Sequence, residues 1–297
     1  MQEFYREEGE DAIVIQSRKR TAMPELPEVE TVRRGLEREI VSSRIIAVKV
    51  LRPASVGFPD PKLFTKELKG RTFKAVRRRG KYLLMDFDDG SGMAAHLRMS
   101  GRFLILGKCD TEPAHTRIGM ELDDGRLLIF DDMRVFGRVW FVPKNSGFDK
   151  VIPTLAELGP EPLKGLDSKV LKEKLERKTQ PIKSALLDQT IIAGIGNIYA
   201  DESLHRAGIN PLRAAKDLKP KELERLCKEI SIVLNNAIAS GGSSLRNYTD
   251  ASGTNGNYQN EALVYGRKGQ ECRTCAKLIE RAKVAGRSTH YCPKCQK

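Results

Sequence analysis

The chain has 297 residues, enough for about two compact domains, and 40% of them are apolar and 31% charged. It carries 52 Lys and Arg against 39 Asp and Glu, a net charge of +13, which points to a polyanion as partner. No apolar run reaches the ~18 residues of a membrane helix, and the five acids in Met1–Asp11 speak against both a secretory signal and a mitochondrial transit peptide.

Residues 1–22 read as a polar extension. Pro27 suits the first turn of a helix, and the acids around it suit the positive end of the helix dipole. Val29, Val32, Leu36 and Ile40 then recur at helical spacing. From Ile45 to Val142 the pattern is short strands: Ile45–Leu51, Phe73–Val76, Tyr82–Phe87, Arg102–Leu106, Ile118–Leu122, Arg126–Phe130 and Val139–Val142. Turn residues separate them, and the close spacing predicts an antiparallel sandwich or barrel. Beyond Val151 the apolar residues fall at helical intervals, through Leu155, Leu158, Leu171, Leu175, Ile182 and Leu186. The clearest helix runs from Lys219 to Ser240, with Leu223, Leu226, Cys227, Ile230, Val233, Leu234 and Ile238 as one stripe. Residues 243–260 are polar and read as a functional loop. The expected organisation is an extension (1–22), a β domain (23–150), a helical domain (151–262) and a C-terminal module (263–297).

That module has the spacing Cys272-x2-Cys275-x16-Cys292-x2-Cys295. In a reducing cytoplasm such pairs serve metals rather than disulfides. Four thiolates fill a tetrahedral sphere, so one structural zinc ion is expected. Cys227 belongs to a helix core, and Cys109 has no assigned role. Between the cysteine pairs a Gly286 turn predicts a β-hairpin with Arg287 at its tip, in reach of phosphates. Residues 266–297 hold nine Lys and Arg against two acids, so positive charge concentrates in this tail.

Five stretches in order then resemble the bacterial formamidopyrimidine-DNA glycosylase family. They are Met-Pro-Glu-Leu-Pro-Glu-Val-Glu-Thr at 23–31, Arg-Gly-Lys-Tyr-Leu-Leu at 79–84, His-Leu-Arg-Met-Ser-Gly at 96–101, Gly-Ile-Gly-Asn-Ile-Tyr-Ala at 194–200 and Val-Tyr-Gly-Arg-Lys-Gly at 264–269. The resemblance covers 23–297. It implies an α+β multidomain protein: an N-terminal antiparallel β-sandwich, a helix–two-turn–helix domain and a four-cysteine zinc finger. It implies a monomeric base-excision glycosylase and AP lyase, cytoplasmic and associated with the nucleoid through duplex DNA that contains oxidised purines. Pro24 is the implied nucleophile, Glu25 the proton-transferring acid, with Glu28 sharing its work, and Lys81 a lysine at the damaged phosphate. His96, Lys183, Asn197 and Arg287 are implied DNA contacts, with Lys183 near the base pocket. Met99, Arg134 and Phe136 are implied to fill the hole left by a flipped base. The pattern departs from the family at Met133, where proline is usual, and at Val135, where a second arginine is usual.

Imine chemistry needs Pro24 as a terminal secondary amine. Such a group has a pKa of ~7.7–8.0 against ~10.4 for lysine, so far more of it is neutral at pH 7. With 22 residues ahead of Met23 the Pro24 nitrogen is an amide, so residues 1–22 are expected to be absent from the mature protein. Two other readings stand beside this one. The first is an endonuclease VIII-like enzyme acting on oxidised pyrimidines, and the second is a non-catalytic zinc-ribbon nucleic-acid-binding protein.

Overall fold

The computed structural model describes residues 23–243 and 258–297. The predicted extension (1–22) and most of the predicted functional loop lie outside the described residues. At the end of that loop, Tyr258–Asn260 already form part of a short helix.

Helix α1 (Leu26–Ile40) starts where the sequence places it. Glu25 is its N-cap, and the Glu25 amide donates to Glu28 Oε2 at 2.9 Å, one half of a capping box. Nine more helices and strands then build the first domain up to Asp132: β1 (Ile45–Val50), β2 (Val56–Phe58), α2 (Pro61–Leu68), β3 (Phe73–Arg79), β4 (Tyr82–Phe87), β5 (Gly92–His96), β6 (Gly101–Leu106), β7 (Thr116–Leu122) and β8 (Leu127–Asp132), with β9 (Arg138–Val142) closing it. They form two sheets, ordered β1-β7-β8-β6 and β2-β9-β5-β4-β3. All pairings are antiparallel except β2 with β9. The inner faces share one core, including Ile45, Phe73, Met85, Met93, Phe103, Ile118, Phe130 and Phe141, onto which Val29, Val32, Leu36 and Ile40 of α1 pack.

Strand β5 is absent from the sequence reading. All five of its residues are buried, because it lies between β4 and β9 with both faces covered. On the outer face Ala94 packs with Tyr82, Leu84, Ile152 and Leu155. A strand buried on both sides shows no alternation, and its Gly and Ala residues give no β-branched signal.

The helical part is more broken than the apolar spacing suggests. It contains α3 (Phe148–Val151), α4 (Pro153–Ala156), α5 (Ser168–Leu175), α6 (Ile182–Leu187), α7 (Asn197–Arg206), α8 (Pro220–Ala239) and α9 (Tyr258–Glu261). Pro153, Pro160 and Pro162 interrupt the first stretch, since proline removes an amide donor and clashes with the preceding turn. Leu158 therefore lies outside any helix. The stripe on α8 is buried as expected, Cys227 included, in a second core with α5, α6 and α7. Cys109 is exposed. The chain ends in the hairpin β10 (Glu280–Val284) and β11 (Arg287–Tyr291).

Leu26 belongs to the helical core whereas Val29 belongs to the sandwich core, so α1 starts at the junction of the two domains. The β3–β4 hairpin reaches the same junction. Glu161 accepts from the Gly80 amide at 2.7 Å and pairs with Arg78 at 3.0 Å, while Arg79 donates to the Leu158 and Gly159 carbonyls. Gly80 has φ +56°, as a two-residue hairpin turn requires. Lys81 is thus the second turn residue, just ahead of β4.

Candidate active site

Between the domains lies a cavity of about 530 Å³. Its wall includes Glu25, Lys81, His96, Met99, Asn197 and Arg287, six of the residues singled out in the sequence. Pro24 is buried between Met23 and Glu25, both of which line the cavity.

Glu25 is held by the helical domain. Its carboxylate accepts from the amides of Gly196 (2.8 Å), Ile198 (2.8 Å) and Tyr199 (3.3 Å), so it caps the N-terminus of α7 from another domain. The approach needs glycine twice. A Cβ on Gly196 would stand 2.6 Å from Glu25 Cγ, and one on Gly194, which has φ +87°, 2.6 Å from Leu26 Cδ1. The Leu26 amide donates to the Gly194 carbonyl at 3.0 Å. The amides at the start of α7 are thus taken by a carboxylate and are not free for a phosphate.

Burial raises the Glu25 carboxyl from 4.5 to about 7, against the lowering effect of the Lys81 cation and the Ile198 and Tyr199 amides. Lys81 donates from Nζ to the Ile195 carbonyl at 3.0 Å. Its pKa is lowered by burial, with the two glutamates opposing. The Gln189 amide braces this carbonyl (2.9 Å) and the Gly194 amide (2.8 Å). Glu28 is buried one turn along α1 and accepts from the Tyr199 hydroxyl at 2.6 Å and the Ser243 amide at 2.8 Å. The site therefore places an acid that is partly protonated at neutral pH beside a desolvated ammonium.

His96 ends β5. Burial, with Arg98 and Lys81 nearby, pushes its pKa down to about 3. Its Nδ1 accepts from the Arg98 amide at 3.0 Å, so the neutral ring carries its proton on Nε2 and can only donate there. Asn197 is the first residue of α7. Its side chain bonds the Tyr265 phenol, and its Oδ1 is buried without a protein partner. Arg287 follows the Ala285-Gly286 turn, where both residues have positive φ (46° and 76°), as a type I′ turn requires. It is the first residue of β11, exposed beside the tip rather than on it.

Met99, Arg134 and Phe136 come together from two loops. The Arg134 guanidinium lies 4.8 Å from the Phe136 ring centroid and donates to Met99 Sδ at 3.4 Å. Phe136 is 49% exposed. Fully buried Asp132 organises the loop, accepting from the Ser100 hydroxyl and from the Arg134 (3.2 Å) and Gly137 (2.7 Å) amides. Val135 sits at φ +58°, a strained conformation for a β-branched residue, and Met133 is exposed.

Lys183 stands behind the cavity rather than on its wall. Its side chain is fully buried, paired with Asp201 at 2.7 Å and donating to the Ser288 carbonyl at 2.7 Å. With its ammonium committed to protein partners it is no part of the cavity wall.

The four sulfurs of Cys272, Cys275, Cys292 and Cys295 lie within 4.8 Å of one another. Tetrahedral Zn–S bonds of about 2.3 Å imply S···S separations of about 3.8 Å, and Cys272–Cys295 (3.9 Å) and Cys275–Cys292 (3.5 Å) fit. The amides of Thr274 and Cys295 point at Cys272 and Cys292 sulfurs, as thiolate ligands require. The residues fit one structural zinc ion with no open position. Sequence reasoning missed Arg98, Gln189, Tyr199, Asp201 and Tyr265. Arg98, Tyr199 and Tyr265 stood inside quoted motifs without a role, and Gln189 and Asp201 act through contacts that only the fold brings about.

Three family models match the chain: the formamidopyrimidine-DNA glycosylase N-terminal domain over 23–139, its H2TH domain over 158–249, and a zinc finger found in FPG and IleRS over 269–297. The formamidopyrimidine-DNA glycosylase of Gloeobacter violaceus is 50% identical over 279 residues, 93% of this chain and 98% of its own. That of Thermosynechococcus vestitus is 46% identical, over 92% and 97%. A crystal structure of a Lactococcus lactis FPG variant bound to Fapy-dG-containing DNA superimposes with a TM-score of 0.85 at 40% identity, covering 92% of this chain and 100% of that one. A structure of MutM in complex with DNA containing carbocyclic 8-oxo-G gives 0.84 at 40%, with the same coverage.

Proposed function

The chain belongs to the formamidopyrimidine-DNA glycosylase family, and on that premise we propose how it acts as a base-excision glycosylase and AP lyase on oxidised purines in duplex DNA. The observation that carries the reading is Glu25: a buried carboxyl near pH 7, fixed on α7, next to Lys81 and in sequence to Pro24.

Freed of the residues before it, Pro24 is a secondary amine. Its lone pair attacks C1′ of the flipped nucleotide, the C1′–N bond breaks, and the purine leaves with that electron pair and a proton. Glu25 supplies a proton to the sugar ring oxygen as the ring opens, then accepts one in later steps. The resulting iminium acidifies C2′, and β- then δ-elimination expels the two flanking phosphates in turn. Lys81, His96, Asn197 and Arg287 offer donors to the phosphates around the lesion, where the neutral His96 ring contributes a hydrogen bond without charge. Met99, Arg134 and Phe136 form the wedge that fills the vacated stack. The zinc takes no part in the chemistry and holds the hairpin. Among the described residues no helix is long and apolar enough to cross a membrane, and we place the work of the protein on cytoplasmic nucleoid DNA.

The test uses protein that begins at Pro24, mixed with a duplex holding 8-oxoguanine opposite cytosine in the presence of borohydride. A covalent protein–DNA adduct, lost on Pro24→Gly with an acetylated terminus, is the expected result. No adduct from zinc-loaded protein that still binds the duplex refutes the imine. An adduct only with a thymine glycol duplex moves the substrate to pyrimidines.

A further inference from the structure

We propose that Asp201, together with Lys183, is the positioning pair that sets Arg287 against the DNA backbone. This rests on the reading of Arg287 as a phosphate contact and names what places it there.

Hairpin β10–β11 closes through a two-residue turn, and Val284 faces Arg287. In such a hairpin the residues flanking the turn form the hydrogen-bonded pair, and bonded pairs alternate along the ladder. Arg287, Thr289 and Tyr291 therefore direct their peptide groups toward β10, and Ser288 and His290 direct theirs to the free edge. The free edge meets Lys183 and Asp201. Lys183 Nζ donates to the Ser288 carbonyl at 2.7 Å, and Asp201 Oδ2 accepts from the His290 amide at 2.9 Å. The two side chains are joined at 2.7 Å with no exposure on either. His290 Nδ1 stands 3.4 Å from the same carboxylate. The pair acts as a substitute strand edge, gripping β11 at two points immediately after Arg287.

The anchor on the other side is the catalytic helix itself. Asp201 lies one turn after Asn197 on α7, on the same face, and the start of α7 binds Glu25. One rigid element thus relates the acid, the Asn197 amide and the hairpin arginine. Burial depresses the Lys183 pKa while Asp201 opposes the fall, as expected of an ammonium that depends on this partner. Without Asp201 the free edge loses its acceptor and Lys183 its counter-charge; the other contacts of α7 with the finger, through Glu202 and His205, reach its base and not the β11 edge.

The experiment is duplex binding by the zinc-loaded chain beginning at Pro24, on DNA with a tetrahydrofuran abasic analogue opposite cytosine, over a series of salt concentrations. Arg287→Ala is expected to make the plot of log affinity against log salt shallower by about 0.9, the loss of one phosphate contact. Asp201→Asn is expected to give the same change, and the double variant no more than either alone. Zinc content should be unchanged in every variant. A wild-type slope in Asp201→Asn alongside a reduced slope in Arg287→Ala overturns the proposal, as do additive losses in the double variant. A wild-type slope in Arg287→Ala itself removes the phosphate reading beneath it. Asp201→Ser, whose shorter side chain removes both the charge and the reach to the His290 amide, replaces Asn if that variant does not fold.

Discussion

Replacing Glu25 with glutamine should remove a penalty that the folded protein carries at neutral pH. The unfolded carboxyl ionises near 4.5 and the folded one near 7. Between these values the folded state binds more protons than the unfolded state, so stability falls as pH rises. The difference corresponds to about 3 kcal/mol, fully present as stability below pH 4.5 and lost once pH passes 7. Glutamine does not titrate. Any cost of placing its amide against the Gly196 donor is the same at every pH and drops out of the comparison. The assay is urea unfolding of zinc-loaded wild type and Glu25→Gln at pH 5, 6, 7 and 8, with equal slopes as the check on two-state behaviour. Wild type should lose about 2.5 kcal/mol relative to the variant between pH 5 and 8, the first part of the fall lying below pH 5. Lys81 and Glu25 titrate as a pair, so in Lys81→Met, where the cation is gone, the fall should move to higher pH. A difference that stays flat from pH 5 to 8 would refute the claim that burial holds this carboxyl near neutrality.

Three other outcomes follow from the site. Gly196→Ala puts a methyl group where Glu25 sits; adduct formation should drop at least about tenfold while duplex affinity changes little, read by single-turnover kinetics beside a binding titration. Removing zinc with a chelator should abolish high-affinity duplex binding yet leave the helical and sandwich cores folded, because the finger has its own small core; circular dichroism and a salt series separate the two effects. Phe136→Ala should slow base excision by about tenfold, since unstacking a base costs a few kcal/mol, without moving the melting midpoint, because the ring is half exposed.

The sequence speaks most clearly where a signal is local. The cysteine spacing, the stripe on α8 and the capped start of α1 each lie within a few turns of chain, and each is found in place. Strand β5 fails that test because a strand covered on both faces has no polar side to alternate with. Lys183 is a related case: its partners, Asp201 and the Ser288 carbonyl, lie on other elements and only the fold brings them to it. Glu25 is legible as an acid at a helix start. Its second role, at the start of a helix about 170 residues later, depends on Gly194 and Gly196, which read equally well as a helix stop. The wedge is intermediate, since Met99 and Phe136 were named from a resemblance, while their bridge through Arg134 is a property of the packed loops.

The zinc finger is joined to α7 and its neighbours by directed polar contacts. Glu202 accepts from the Leu263, Val264 and Tyr265 amides, Gln296 donates to the Ile209 carbonyl, the Asn210 amide donates to the Lys297 carbonyl, and His205 faces Cys272. Such a seam behaves unlike a greasy one when it opens. A finger that has lost its metal uncovers carboxylates, amides and carbonyls along this seam, groups that water can satisfy, so most of the bonds lost on parting are replaced by bonds to solvent.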